Sequence, residues 1–234
     1  MPWGTWKPTQ VRRVARVLGS SMNTVVVETD AGRAYLKAIG NAQGEHALAC
    51  ELIGTSLAEW LGLPTLEFAL IELGRTGTQV LLDADETVPI ARRRRAQAGA
   101  AFITKEIDAE TWSGTAADLG SLTNPESIAG LVVLDSWIGN PDRRPRRPEN
   151  PGISTWRTQN LDNVLLELLP KDKRRLVAMD FSVCLHCRAG GLRGAYDERL
   201  VRDDGIYGLF PAFEPYLTSE WVQPFLDRLR DERS

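Results

Sequence analysis

The sequence predicts an α+β chain of two lobes. An antiparallel sheet lobe with one helix spans 1–107, and a mostly helical lobe spans 108–234. Three observations point to this. The first third reads strand–strand–strand–helix–strand from its apolar spacing. A long apolar helical pattern covers 125–138, and the amphipathic stretch "SEWVQPFLDRLRDER" closes the chain. A length of 234 residues suits one large domain or two small lobes.

The elements follow in order. Ala15–Leu18 and the β-branched Val25–Thr29 are strand-like and flank the turn "GSSMNT". "DAG" turns the chain into "RAYLKAI", where Ala34, Leu36 and Ala38 alternate with Tyr35, Lys37 and Ile39. "EHALACELIGTSLAEWLG" carries Ala49, Ile53, Leu57, Trp60 and Leu61 at helical spacing, ended by Gly62 and Pro64. "LEFALIEL" reads as a strand, "TQVLLDA" as a further strand, "RRRRAQAG" as an exposed loop or short helix, and "AAFITKEI" at 100–107 as a strand. "DAETWSGTAADLGSLT" reads as irregular surface. Asn124-Pro125-Glu126 starts a helix with Asn as cap, and the helix buries Ile128, Leu131, Val132, Leu134 and Ile138. "NVLLELL" and "LVAMDF" around "PKDKRR" form a hairpin, and Ser219 caps the last helix. No element is assigned over 183–215, and no internal repeat is present.

Hydrophobic residues at 43% and charged residues at 25% are the balance of a globular chain, not a disordered one. No apolar run is long enough to cross a membrane and the N-terminus is unlike a signal peptide, so the expected location is the cytoplasm. Cys184, His186 and Cys187 stand together in "CLHC", but no second cluster completes four zinc ligands, which favours ordinary reduced thiols. Lys occurs only at positions 7, 37, 105, 171 and 173, and the remaining basic residues are Arg. That scarcity makes each Lys more informative. The net charge of −3 argues against a nucleic-acid partner.

Four polar features carry the candidate chemistry. Lys37 lies near the end of a strand that follows a Gly/Ser turn, Gly19-Ser20-Ser21. Glu51 shares a helix face with Ala47, Leu48, Thr55 and Ala58, where a carboxylate needs a partner, and Lys37 suits that need. Asp142, in the turn "GNPDR", and Asn163 bracket a segment of Arg and Pro that cannot pack in a core. Asp180 follows a strand in "AMDFS".

The order of these features resembles that of a protein-kinase ATP site. More specifically, "YLKAIGN…GEHALACELIGTSLAEWLGLPTLEFALIEL" resembles the N-lobe of the HipA-like serine/threonine kinases. "GNPDR", "NLDNVLL" and "MDF" resemble that family's catalytic loop, metal Asn and metal Asp. The similarity covers about 12–72 and 128–185. The chain departs from the family pattern in two ways: Arg144 stands where a His is usual, and Asn163 comes 21 residues after Asp142. Asn160 and Asn163 both qualify as the metal Asn, and Asn163 is favoured because it directly precedes "VLL".

The resemblance implies a compact protein-kinase-like relative that binds ATP and Mg²⁺ between its lobes and phosphorylates a Ser or Thr of a protein. Asp142 is the implied catalytic residue, and Asn163 and Asp180 are the implied metal ligands. Gly19, Ser20, Ser21, Lys37, Glu51 and Glu106 are the implied nucleotide contacts. The family also implies translation factors as substrates and an antitoxin-like regulator as a partner. Three rivals remain open: a pseudokinase or regulatory nucleotide-binding module, a small-molecule or lipid kinase of related fold, and a nucleic-acid binder using Arg92–Arg95 and Arg143–Arg147.

Overall fold

The computed structural model of the chain describes residues 6–18, 24–41, 43, 46–85, 96–143, 160–185 and 204–231. Of the expected loop or short helix "RRRRAQAG", Arg92–Arg95 fall outside these residues, as do Gly19, Ser20, Ser21, His186 and Cys187. The chain is α+β, with an antiparallel sheet in its N-terminal part and helices in its C-terminal part, the makeup of a two-lobed kinase-like fold. It divides into two compact units, Met1–Leu52 with Leu66–Ile107, and Ile53–Thr65 with Asp108–Ser234. Among the described residues no helix is long and apolar enough to cross a membrane.

The first unit contains strands β1 (Val11–Val17), β2 (Val25–Thr29), β3 (Gly32–Ala38), β4 (Phe68–Leu73) and β5 (Gly99–Lys105). They form one antiparallel sheet in the order β1-β2-β3-β5-β4. Gly32, at φ 104, makes the sharp turn from β2 to β3, a backbone region that costs glycine little. Helix α1 (His46–Leu61) follows β3, and helix α2 (Arg75–Asp85) follows β4. The sheet's two faces separate by the pleat. Val25, Val27, Ala34, Leu36 and Ile103 pack with Trp6 and with Leu81 of α2 on one side. Phe102 packs with Ala47 and Leu48 of α1 on the other.

Helix α2 corrects the expectation of a strand at "TQVLLDA". Thr78 and Leu81 are buried three residues apart, and Leu81 joins the sheet's core cluster, so helical spacing prevails over a short apolar run.

In the second unit β6 (Ala109–Thr111), β7 (Leu165–Leu169) and β8 (Lys173–Val177) form an antiparallel sheet in that order. The hairpin β7–β8 is the one expected. Its loop places Lys171 and Asp172 at φ 62 and φ 53, the left-handed region that Asp tolerates better than most residues. The stretch 108–123, expected as irregular surface, instead contains β6 and helix α3 (Ala116–Gly120), with Trp112 and Leu119 buried. Its strand is three residues long and exists through pairing with the distant β7, a signal that local periodicity does not carry.

Helix α4 (Glu126–Trp137) is the buried centre of this unit, and α5 (Ser219–Asp231) is the amphipathic last helix. A Cβ at Gly130 of α4 would lie 2.6 Å from Phe225 and 2.7 Å from Leu63, so glycine permits that close approach. The last helix is capped by Thr218, not Ser219: the Thr218 carbonyl accepts from the Val222 N–H at 2.9 Å.

Asn124 does not cap α4 with its side chain. Its amide donates to the Leu176 carbonyl at 3.0 Å and to Ser127 Oγ at 2.9 Å, and its Oδ1 accepts from the Leu176 N–H at 2.9 Å. The side chain therefore ties the start of α4 to β8. Asn124→Ala leaves these buried groups unpaired and is expected to lower stability by about 1–3 kcal/mol. Urea denaturation checks this through a lower midpoint at unchanged slope. An unchanged midpoint would show that the Asn124 link contributes nothing net.

Candidate active site

Each unit brings its own predicted residues together. In the first, Lys37 lies on β3 opposite Phe102 of β5, on the sheet face covered by the start of α1. Ala47, Leu48, Glu51 and Leu52 form one stripe of α1, because residues at i, i+1, i+4 and i+5 share a helix face. Packing Ala47 and Leu48 on the sheet thus carries Glu51 toward Lys37. Lys37 Nζ donates to Glu51 Oε1, and the carboxylate is only 2% exposed. A charge in such surroundings is tolerable when it is paired, so each residue depends on the other.

Glu106 is not part of this pair. It is partly buried just past β5, bound by Arg33 at 3.0 Å and Arg16 at 3.7 Å. Those two guanidinium groups account for its position. Gly19, Ser20 and Ser21 lie outside the described residues.

In the second unit, the C-terminus of α4 builds the turn that holds Asp142. Gly139 adopts φ 58, and the Asn140 N–H donates to the Asp135 carbonyl at 2.8 Å, closing the helix as a Schellman motif. The Asn140 side chain then donates to Asp135 Oδ1 at 3.0 Å and accepts from the Asp142 N–H at 3.3 Å. A fully buried amide thereby fixes the backbone at Asp142. Asn163 Nδ2 donates to Asp142 Oδ2 at 3.0 Å across a separation of 21 residues.

The described residues that flank 144–159 meet: the Asn160 N–H donates to the Arg143 carbonyl at 2.9 Å. This explains how so distant an Asn reaches Asp142. The two Asn candidates differ in their contacts: the Asn163 side chain donates to Asp142, and the Asn160 backbone N–H donates to the Arg143 carbonyl.

Asp180 follows β8 and takes φ 60, an uncommon region for a residue with a side chain. Such a conformation costs of order 1 kcal/mol and persists where neighbours over-determine it. Those neighbours are present. Phe181 is fully buried, and its Cβ approaches Gly54 of α1 so closely that a Cβ there would lie 2.3 Å away. Ser182 Oγ lies 3.3 Å from Asp180 Oδ1.

Sequence reading missed Asp135, Asn140 and the state of Arg143. Arg143 was expected in an exposed basic run, but its side chain is 0% exposed. Its Nε donates to Asp135 Oδ2 at 2.7 Å and its Nη2 to the Met179 carbonyl at 2.9 Å. Burial pushes the Asp135 carboxyl up from the ordinary carboxylate range, and the Arg143 charge, the Arg143 bond and the Asn140 bond oppose that shift. The available signal was Asp135 itself, a carboxylate on the buried face of an otherwise apolar helix. Cys184 is buried.

Asp142, Asn163 and Asp180 offer hard oxygen donors, the type that suits Mg²⁺. Among the described residues no group of three or more His, Cys, Asp or Glu is arranged to hold a metal by itself.

A family profile described as HipA-like kinase matches residues 15–167, more than half of the chain. The match includes Lys37, Glu51, Glu106, Asp142 and Asn163 and stops before Asp180. A comparison with curated proteins gave no match.

Proposed function

The chain belongs to the HipA-like kinase family, and we propose from that premise that it transfers the γ-phosphoryl group of ATP, with Mg²⁺, to a Ser or Thr hydroxyl of a protein. The observation that carries this reading is the buried pair of Lys37 on β3 and Glu51 on α1. A strand Lys held by a helix Glu is what phosphate orientation requires: the carboxylate fixes the ammonium, and the ammonium contacts phosphate oxygens.

The other residues take the remaining roles. Asp142 accepts the proton of the attacking hydroxyl while the oxygen bonds to phosphorus and the β–γ bridge breaks, releasing ADP. Asn163 turns its amide nitrogen toward Asp142, which leaves its Oδ1 as the metal-binding end. With Asp180 it would hold Mg²⁺, and the ion would neutralise charge on the phosphates. Translation factors as substrates and an antitoxin-like regulator as partner are the classes that accompany this reading.

A thermal-shift titration tests it. Mg-ATP at 100 times its dissociation constant adds about 2.7 kcal/mol of stability. For a chain of this length the expected rise in Tm is about 5–10 °C. An unchanged Tm at saturating nucleotide would contradict an ATP site.

A further inference from the structure

Among the described residues Arg143 is the largest side chain that the fold buries completely, and phosphoryl transfer as described above gives it no task. We infer that Arg143 is a positioning residue that anchors the turn of Asp142 and the loop of Asp180 to one buried guanidinium, and so sets the affinity of the site for its divalent cation. This rests on the kinase reading of the same site.

The contacts define the anchor. Nε reaches Asp135 at the end of α4, and Nη2 reaches the Met179 carbonyl, one residue before Asp180. The guanidinium carbon lies 5.8 Å from the centre of the Phe181 ring, one residue after Asp180. The Arg143 carbonyl receives the Asn160 N–H, at the start of the short turn that carries Asn163. One residue therefore touches α4 and the chain on both sides of Asp180, and its backbone leads into the segment of Asn163.

The bond to Met179 has a specific consequence. The φ angle of Asp180 is a rotation relative to the Met179–Asp180 peptide plane. A donor fixed on the Met179 carbonyl holds that plane while Asp180 occupies its uncommon φ of 60°. Arg143 thereby ties the backbone at Asp180 to the buried guanidinium.

Stability alone accounts poorly for this arrangement. Burying a guanidinium has a large desolvation cost, and well-packed apolar groups often serve a core as well or better. Nη1 of Arg143 is buried without an acceptor among the described residues, so the group is not optimised for its own hydrogen bonds. A planar fork is needed to reach Asp135 and Met179 together, and a Lys ammonium is a single point of charge.

Arg143→Lys and Asp135→Asn, each in the full chain, test the inference. Mg²⁺ is titrated at fixed ATP while Tm is read, and Mn²⁺ binding is followed by water-proton relaxation. Both variants are expected to raise the half-saturating cation concentration by about 10- to 100-fold, the usual effect of losing a partner that orients a metal site. Nucleotide affinity without divalent cation stays unchanged. An unfolded fraction raises the apparent midpoint by the reciprocal of the folded fraction, so the folded fraction is read by circular dichroism on each variant and the midpoint is corrected by it. A tenfold rise from this source alone would need about nine-tenths of the chain unfolded.

A wild-type midpoint in a variant that folds overturns the inference and leaves the kinase reading intact. Failure of both variants to fold overturns it too, in favour of a purely structural tie. A wild-type protein without any Mg²⁺-dependent response to ATP overturns the kinase reading itself.

Discussion

Asp142→Asn is expected to lower phosphoryl transfer by roughly 10²–10⁴ while Mg-ATP affinity stays within a few-fold of wild type. The substitution preserves size and removes both charge and basicity. The turn that presents residue 142 is built from the Gly139 helix end and the buried Asn140 amide, neither of which needs the Asp142 carboxylate. The bond from Asn163 Nδ2 survives, because the new amide oxygen still accepts it. Asn163 and Asp180 remain, so nucleotide and cation binding are spared. What is lost is the acceptor for the hydroxyl proton. Affinity and transfer measured on the same preparation separate the roles. Wild-type transfer by the variant would make the turn at 140–143 purely structural.

Lys37→Ala is expected to fail in two ways. It removes the ammonium from Glu51, a carboxylate at 2% exposure. Breaking a buried pair by removing one member typically costs about 3–5 kcal/mol, which urea denaturation without nucleotide will read. It also removes the cation that orients phosphate oxygens, so nucleotide placement and transfer both weaken, in contrast to Asp142→Asn. Glu51→Gln retains volume and a hydrogen-bond acceptor and should lose less stability while still impairing transfer. Full nucleotide affinity and transfer in Lys37→Ala would exclude the phosphate-orienting role, whatever happened to stability.

The contrast between legible and illegible parts has a physical basis. The face of α1 that carries Ala47, Leu48, Glu51, Thr55 and Ala58 was readable because it is buried. The apolar spacing of Ala49, Ile53 and Trp60 gave the helix but not its buried face, since Ile53 is 37% exposed. The β3 alternation was readable because its two faces meet different partners, the core with α2 and the start of α1. The Lys37–Glu51 pair followed from these faces, since two charges brought to one apolar face must meet. At "TQVLLDA" the local pattern fits a strand and a helix alike, and packing of Leu81 on the sheet decided for α2. β6 depends on a partner more than fifty residues away and left no local trace.

Arg143 was misread because its neighbours in sequence are Arg and Pro. Composition describes a segment, whereas burial is decided residue by residue: Arg143 belongs to the turn that follows α4, where its side chain meets Asp135 and its carbonyl meets the Asn160 N–H. Asn124 is a similar case. Asn before Pro-Glu has the form of a cap, but a strand backbone two elements away competed for the same amide.

The most direct measurement is transfer of labelled γ-phosphate from Mg-ATP, with the labelled residue located by mass spectrometry, in the wild-type chain and in Asp142→Asn side by side. Phosphate on a Ser or Thr of a protein, the chain itself included, with loss of most label in the variant, is the predicted result. ATP binding with no transfer to any protein hydroxyl, or equal labelling by the two proteins, would contradict the assignment of Asp142 and with it the proposed kinase mechanism.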